Sequence, residues 1–310
     1  MQEQVVNLIS NVDFISTIIS NLDRLNTVKT NKQVELYNIS AGFDIETSSF
    51  YDNDLKTAIM YEWTFGIGYI DRDNEFKTLI TYGRTWRQFE VLLDAVSKVL
   101  DLHENKRLVV YVHNLPYEWQ FIRKRFTWTK VFFLDERKPV YAINDMNVEF
   151  RCSLKLSGKS LANTAKDLLK YHADKMVGDL DYSLIRHPKT PLTQTELGYC
   201  YNDVKVMLCY IQEKIEQEGD ISRIPLTKTG YVRRYCKNAM FPEMEESEDA
   251  YEYLDFESVG VSRTKRSISR RIYPCQCSPS WDSAYERWFL RLYEQLSRSN
   301  GGVQVSDGKR

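Results

Sequence analysis

Apolar and polar positions change period along the chain, and the changes mark its elements. Apolar β-branched and aromatic runs near 40–46, 59–70, 75–82, 107–113 and 147–153 predict strands. Apolar residues recurring every three or four positions near 85–101, 115–125, 160–171 and 194–217 predict helices. Hairpins come early and helices late, which is an α/β pattern. Beyond residue 260 the stretch SRTKRSISRRIYPCQCSPSW follows neither period, and SNGGVQVSDGKR reads as an unfolded end. There is no internal repeat.

Composition narrows this picture only a little. At 310 residues and 43% hydrophobic, the chain can bury one large core or two modest ones. No run approaches 18 apolar residues, and the N-terminus lacks the pattern of a secretory signal, so a soluble, unsecreted protein without a membrane partner is expected. A monomer in the cytoplasm is the accompanying expectation. The six cysteines include one C-x-C and no zinc spacing, which predicts reduced, structural thiols. A net charge of −1 excludes a globally basic nucleic-acid binder but not a local basic groove. Residues 260–310 carry 10 Lys and Arg against 4 Asp and Glu, whereas residues 1–259 carry 32 against 39, so the chain changes character there.

Three acidic segments carry the candidate chemistry. In AGFDIETSS, Asp44 and Glu46 are two apart on a predicted strand and leave the same face. Two such carboxylates are costly unless a cation or water compensates them, although a solvated edge strand would also explain the pair. In VVYVHNLPYEWQFI a strand runs into Asn114, with Tyr117 and Glu118 opening a helix. In LTQTELGYCYNDVKVMLCYI, Thr193 and Glu196 form a capping box, and Tyr199 and Asp203 are four apart on one helix face. Each segment alone is ordinary, but their order is specific. Hydrolysis of a phosphodiester needs an activated water and charge relief on the attacking and leaving oxygens, which two divalent ions supply. Hard oxygen ligands favour Mg2+ or Mn2+. The aromatic and amide residues around Asn114 suit unstacked single-stranded bases, and His113 fits that contact better than a metal.

On these residues the chain resembles the protein-primed family B DNA polymerases of small bacteriophages and linear plasmids, specifically their N-terminal 3'-5' exonuclease domain. The resemblance runs over about residues 38–240, through DIET at 44–47, HNLPYE at 113–118, GDLDY at 178–182 and YCYND at 199–203. It implies a ribonuclease H-like fold, a mixed sheet flanked by helices, with two divalent metal ions held by Asp44, Glu46, Glu118 and Asp203. It implies that Tyr199 positions the attacking water. It further implies that the 3' end of single-stranded DNA is met by Thr47, Tyr111, His113, Asn114, Tyr117, Phe121, Ser153 and Leu154, with Ser160 and Leu161 as a second candidate for the last pair. A terminal (priming) protein is the other partner it suggests. Two departures stand out: Glu118 replaces the usual Asp, and Val177 stands where the family carries a catalytic Lys, leaving Lys175 as the nearest supporting cation.

The domain reading that follows is a lead-in at 1–37, the exonuclease domain at 38–240, the start of a connection to a polymerase domain at 241–257, and a frameshifted, disordered tail at 258–310. Codons chosen for Ser267 to Cys277 and read one base later give AFQGGFTHAN, similar to the family's aromatic-x-G-G segment. The same slip over Tyr285 to Ser297 permits TNDGFFDFTSSYP, similar to its palm motif. The expected function is therefore a truncated polymerase that keeps proofreading and lacks synthesis. The alternatives are an inactive remnant that binds single-stranded DNA or a priming protein, and a stand-alone 3'-5' nuclease.

Overall fold

The computed structural model describes residues 7–53, 55–136, 138–173 and 184–240. Lys175, Val177, the GDLDY landmark, the expected connection and the expected tail lie outside them.

The elements are β1 (Leu8–Ile9), α1 (Asn11–Ser20), β2 (Thr27–Lys29), β3 (Glu35–Tyr37), β4 (Ser40–Asp52), β5 (Leu55–Ile70), β6 (Phe76–Gly83), α2 (Trp86–Val99), β7 (Lys106–Val112), α3 (Leu115–Ile122), β8 (Trp128–Asp135), β9 (Lys138–Asn144), β10 (Val148–Cys152), α4 (Ser153–Ser157), α5 (Leu161–Lys166), α6 (Gln194–Glu218) and α7 (Lys228–Met240). One sheet runs in the order β1-β6-β5-β4-β7-β10-β9-β8, with β2 and β3 attached beside β7. Its centre, β6-β5-β4-β7-β10, is an antiparallel meander followed by two strands parallel to β4. That order, with helices on both faces, is the ribonuclease H-like arrangement.

Alternation along β4 decides what each face meets. Phe43 points to the face where Phe89 of α2 stacks on it at 4.3 Å, beside Phe65, Phe150 and Trp63. The opposite face carries Gly42, Asp44 and Glu46 and lies under α6. Gly66 on this face admits the helix, since a Cβ there would lie only 3.0 Å from Val204 and Leu208, whereas one at Gly42 would make ordinary contact with Met207 at 3.5 Å. Residue Glu213, further along α6, accepts hydrogen bonds from the backbone N–H groups of Leu169, Lys170 and Tyr171 at 2.7–2.9 Å and ties down the segment after α5.

The described part of the expected lead-in is integral to the domain. β1 pairs with β6, and α1 buries Phe14, Ile15 and Ile18, with Phe14 edge-on to Phe65 at 5.7 Å. Asp13 caps back onto Ser10, whose Oγ accepts from the Asp13 N–H. A second compact unit begins at Thr229, and its described part is the remainder of α7. Among the described residues no helix is long and apolar enough to cross a membrane, and Cys152, Cys200, Cys209 and Cys236 are free thiols.

Candidate active site

The site forms where two strands part. β4 pairs with β7 only through Gly42–Tyr111 and Phe43–Val112. β7 then ends, while β4 continues to Asp52, so from Asp44 onward α3 lies near the edge that β7 has vacated. The turn is made by Asn114, whose left-handed backbone (φ 81°, ψ 49°) is tolerated by Asn better than by most residues. Glu118 sits in the first turn of α3.

Asp44, Glu46 and Glu118 are brought within electrostatic reach of one another. Glu118 is 3% exposed, and burial first, then the charges of Asp44 and Glu46, hold its carboxyl well above the usual range. Its Oε2 is buried without a hydrogen-bond partner. Tyr117 feels the same three carboxylates after the larger effect of burial, and its hydroxyl is hydrogen-bonded to Thr47 Oγ1.

The register of α6 follows from its contacts. Met207 lies over Gly42, Val204 over Gly66 and Cys200 beside Glu62, while Gly66 pairs with Gly42 and Glu62 with Glu46. Going down α6 from residue 207 to 200 therefore runs up β4 from 42 to 46. Seven helical residues cover about 10 Å and four strand residues about 13 Å, so the two tracks keep pace. Asp203, one turn before Met207, belongs level with Asp44, and Tyr199 lies on the same helix face. The capping box foreseen at the start of α6 is formed in both directions, Thr193 Oγ1 with Glu196 N–H and Glu196 Oε2 with Thr193 N–H.

The remaining candidates divide. Tyr117 is 38% exposed and its ring lies 5.5 Å from that of half-buried Phe121, while Thr47 and His113 are half-buried and Asn114 is exposed. Ser153 is buried and its Oγ lies 3.1 Å from His113 Nδ1, so it holds the imidazole from below; Leu154 is half-buried beside it. The rival pair is dispersed, with Ser160 exposed as the cap of α5 and Leu161 buried in the core. Tyr111 does not reach a ligand surface. It is 1% exposed, and burial pushes its hydroxyl up against the opposing charge of Arg151. The unbroken apolar run around it marks a central strand covered on both faces, where no side chain reaches solvent.

Three neighbours escaped the sequence reading. Glu62 lies directly across from Glu46, is 1% exposed, and has its carboxyl pushed up to about 7, chiefly by burial. Cys200 is raised by burial and then by Glu62, Glu46 and Asp44. Arg186 is buried, donates from its backbone N–H to Ser48 Oγ at 2.8 Å and from Nε to Glu196 Oε1 at 2.5 Å, and lies over the Tyr61 ring. A bulge at this point of β5 shifts the register from Glu46–Glu62 to Thr47–Met60 and leaves Tyr61 as the extra residue.

Among the described residues no three His, Cys, Asp or Glu side chains are gathered closely enough to hold a metal ion. The donor set still suits a hard divalent cation, being carboxylate oxygen throughout with the buried Glu118 Oε2 lacking a donor.

Neither a protein-family profile nor a curated protein matches the chain. Two solved structures of Phi29 DNA polymerase, one complexed with primer-template DNA and incoming nucleotide substrates and one with single-stranded DNA, are similar to it at 17% identity and a TM-score of 0.47. Each match covers 66% of this chain and 35% of the polymerase, so the chain spans about a third of those neighbours, and the likeness is confined to the fold.

Proposed function

We propose that the sheet domain is a divalent-cation-dependent 3'-5' exonuclease acting on single-stranded DNA ends, of the protein-primed family B kind. The observation that carries the reading is the meeting of Asp44, Glu46 and Glu118 where β4 and β7 part, with a buried Glu118 oxygen lacking a donor.

Asp44, Glu46, Glu118 and Asp203 would hold the cations. Bound there, two divalent ions relieve the charge on the attacking and leaving oxygens of a phosphodiester. The chain's own contribution is alignment. Tyr199, on the Asp203 face of α6, orients water through its hydroxyl. Tyr117 and Phe121 offer an aromatic pair on which a terminal base stacks without regard to sequence. The Thr47 hydroxyl fixes the Tyr117 ring, and Ser153 fixes His113. A priming protein remains the second proposed partner.

A binding remnant that grips single-stranded DNA without cutting it is the second reading, favoured by the lack of a closely gathered ion cluster among the described residues. Digestion of 5'-labelled single-stranded DNA separates the two. The nuclease reading expects stepwise shortening from the 3' end with Mn2+, none in EDTA, and loss by orders of magnitude in Asp44→Ala. Binding without shortening establishes the remnant, and undiminished shortening by Asp44→Ala puts the chemistry elsewhere.

A further inference from the structure

A buried guanidinium is tolerated where its hydrogens and its planar face are engaged. Arg186 is 7% exposed and meets this condition. Its Nε donates to Glu196 Oε1 at 2.5 Å, its Nη1 to the Leu184 carbonyl at 3.3 Å, and its planar group stands 5.8 Å from the centre of the Tyr61 ring. Its backbone N–H donates to Ser48 Oγ at 2.8 Å.

These contacts join three elements at the edge of the candidate site. Glu196 lies in the first turn of α6, where its other oxygen closes the capping box with Thr193. Ser48 is on β4, two residues beyond Glu46 and on the same face. Tyr61 is the bulged residue of β5, and its carbonyl accepts from Arg84 Nε at 2.7 Å, while Arg84 Nη2 holds the carbonyls of Thr190 at 2.6 Å and His187 at 3.0 Å. Two arginines thus fix the chain that leads into α6. The distances to the site are short: Tyr199 follows Glu196 by about 4.5 Å along the helix, and Glu46 is about 7 Å from Ser48 along the strand. The Tyr61 hydroxyl lies in the field of Glu46, Cys200 and Arg186 together, so the arginine and the acids flank one ring. A helix start that needed covering alone could be held by apolar contacts. Charge-assisted hydrogen bonds with fixed directions set its position and its rotation as well.

We propose that Arg186 is a positioning residue of the same site, bolting the first turn of α6 to β4 and so setting where Tyr199 stands relative to Glu46. The inference rests on the reading of Tyr199 as the residue that orients water.

Kinetics on 5'-labelled single-stranded DNA with Mn2+, and hydrogen exchange in EDTA, test it. Arg186→Gln should lower kcat about 10- to 100-fold with KM for the DNA unchanged, the scale of an ångström-sized misplacement. In a chain already carrying Tyr199→Phe the same substitution should cost less than about 3-fold, because both changes act through one hydroxyl and do not add. A clamp that merely holds the fold together would cost the same in both backgrounds, and such additivity would overturn the inference while leaving the nuclease reading in place. In EDTA, the amides of residues 197–203 should exchange faster in Arg186→Gln than in the wild type while those of β5 and β7 keep their protection. Unchanged exchange in α6 would likewise end the inference. If Arg186→Gln does not fold, Glu196→Gln, which loosens the same contact and retains a capping-box side chain, takes its place in both measurements. A wild type that shortens no DNA removes the nuclease reading and this inference with it.

Discussion

Removing the charge of Glu62 should alter how stability depends on pH, in a direction that can be worked from its surroundings. Burial raises its carboxyl from 4.5 to about 7. Between those values the folded chain keeps a proton that the unfolded chain has released, so stability falls as pH rises. The contribution is complete below about pH 4.5 and is lost as pH passes about 7. A shift of this size corresponds to about 3 kcal/mol, a large share of the roughly 5–15 kcal/mol by which domains are stable. Glu62→Gln has no such group. Its amide nitrogen would take the place of a carboxylate oxygen, an offset of about 1–3 kcal/mol that does not vary with pH. The informative quantity is therefore the difference between the two proteins' stability curves. Urea unfolding in EDTA, followed by circular dichroism from pH 4 to pH 8, should show the variant gaining on the wild type by about 3 kcal/mol across that interval. Parallel curves would refute the argument and mean that Glu62 keeps an ordinary carboxyl in the folded chain. Glu118, raised in the same direction and present in both proteins, cancels from the comparison.

Two further outcomes test other parts of the structure. Phe14→Ala should cost about 3–5 kcal/mol in urea unfolding, because a fully buried ring is lost from α1; a loss under about 1 kcal/mol would mean that residues 8–20 are an appendage after all. Tyr117→Ala should weaken single-stranded DNA binding by about 1–3 kcal/mol while Tyr117→Phe keeps most of it, as a stacking role demands; fluorescence anisotropy giving equal losses for the two would assign the contact to the hydroxyl instead.

What could be read along the chain was what local periodicity records. The three-strand meander, α2, β7, α3, β10 and α6 were each legible because one apolar face recurs at a fixed interval, and the box of Thr193 and Glu196 marked the start of α6. β1, β2, β3, α1, α4, α7 and the β8–β9 hairpin escaped. α1 carries Ser10, Asp13, Phe14, Ile15 and Ile18 in readable helical spacing. The β8–β9 hairpin has register shifts at Trp128/Lys130, Phe132/Phe133 and Phe133/Asp135, which scramble the alternation that would have announced it. At the site, the order of the motifs led to Asp44, Glu46 and Glu118, which the fold places within electrostatic reach of one another. Glu62 was invisible because its significance is a cross-strand register, and nothing in MYEWTFG specifies which residue will stand opposite. Tyr111 shows the converse, since nearness to His113 in sequence says nothing of the two-sided cover over β7.

Gly66, beneath α6, acts as a spacer gauge for that helix. Tyr199 and Asp203 are carried by a rigid rod, and the height of that rod above the sheet is set at Gly66 rather than at the acids themselves. A single methyl at Gly66 would meet Ile80, Val204 and Leu208 at once, all at 3.0 Å, with no room to move in any one direction. Lifting the rod by even a fraction of an ångström at that fulcrum moves the Tyr199 and Asp203 end away from Asp44. On the proposed nuclease reading, alignment tolerates little of this, with about 1 Å of misplacement costing on the order of 100-fold in rate. A strict steric requirement on this surface therefore falls on a residue with no side chain.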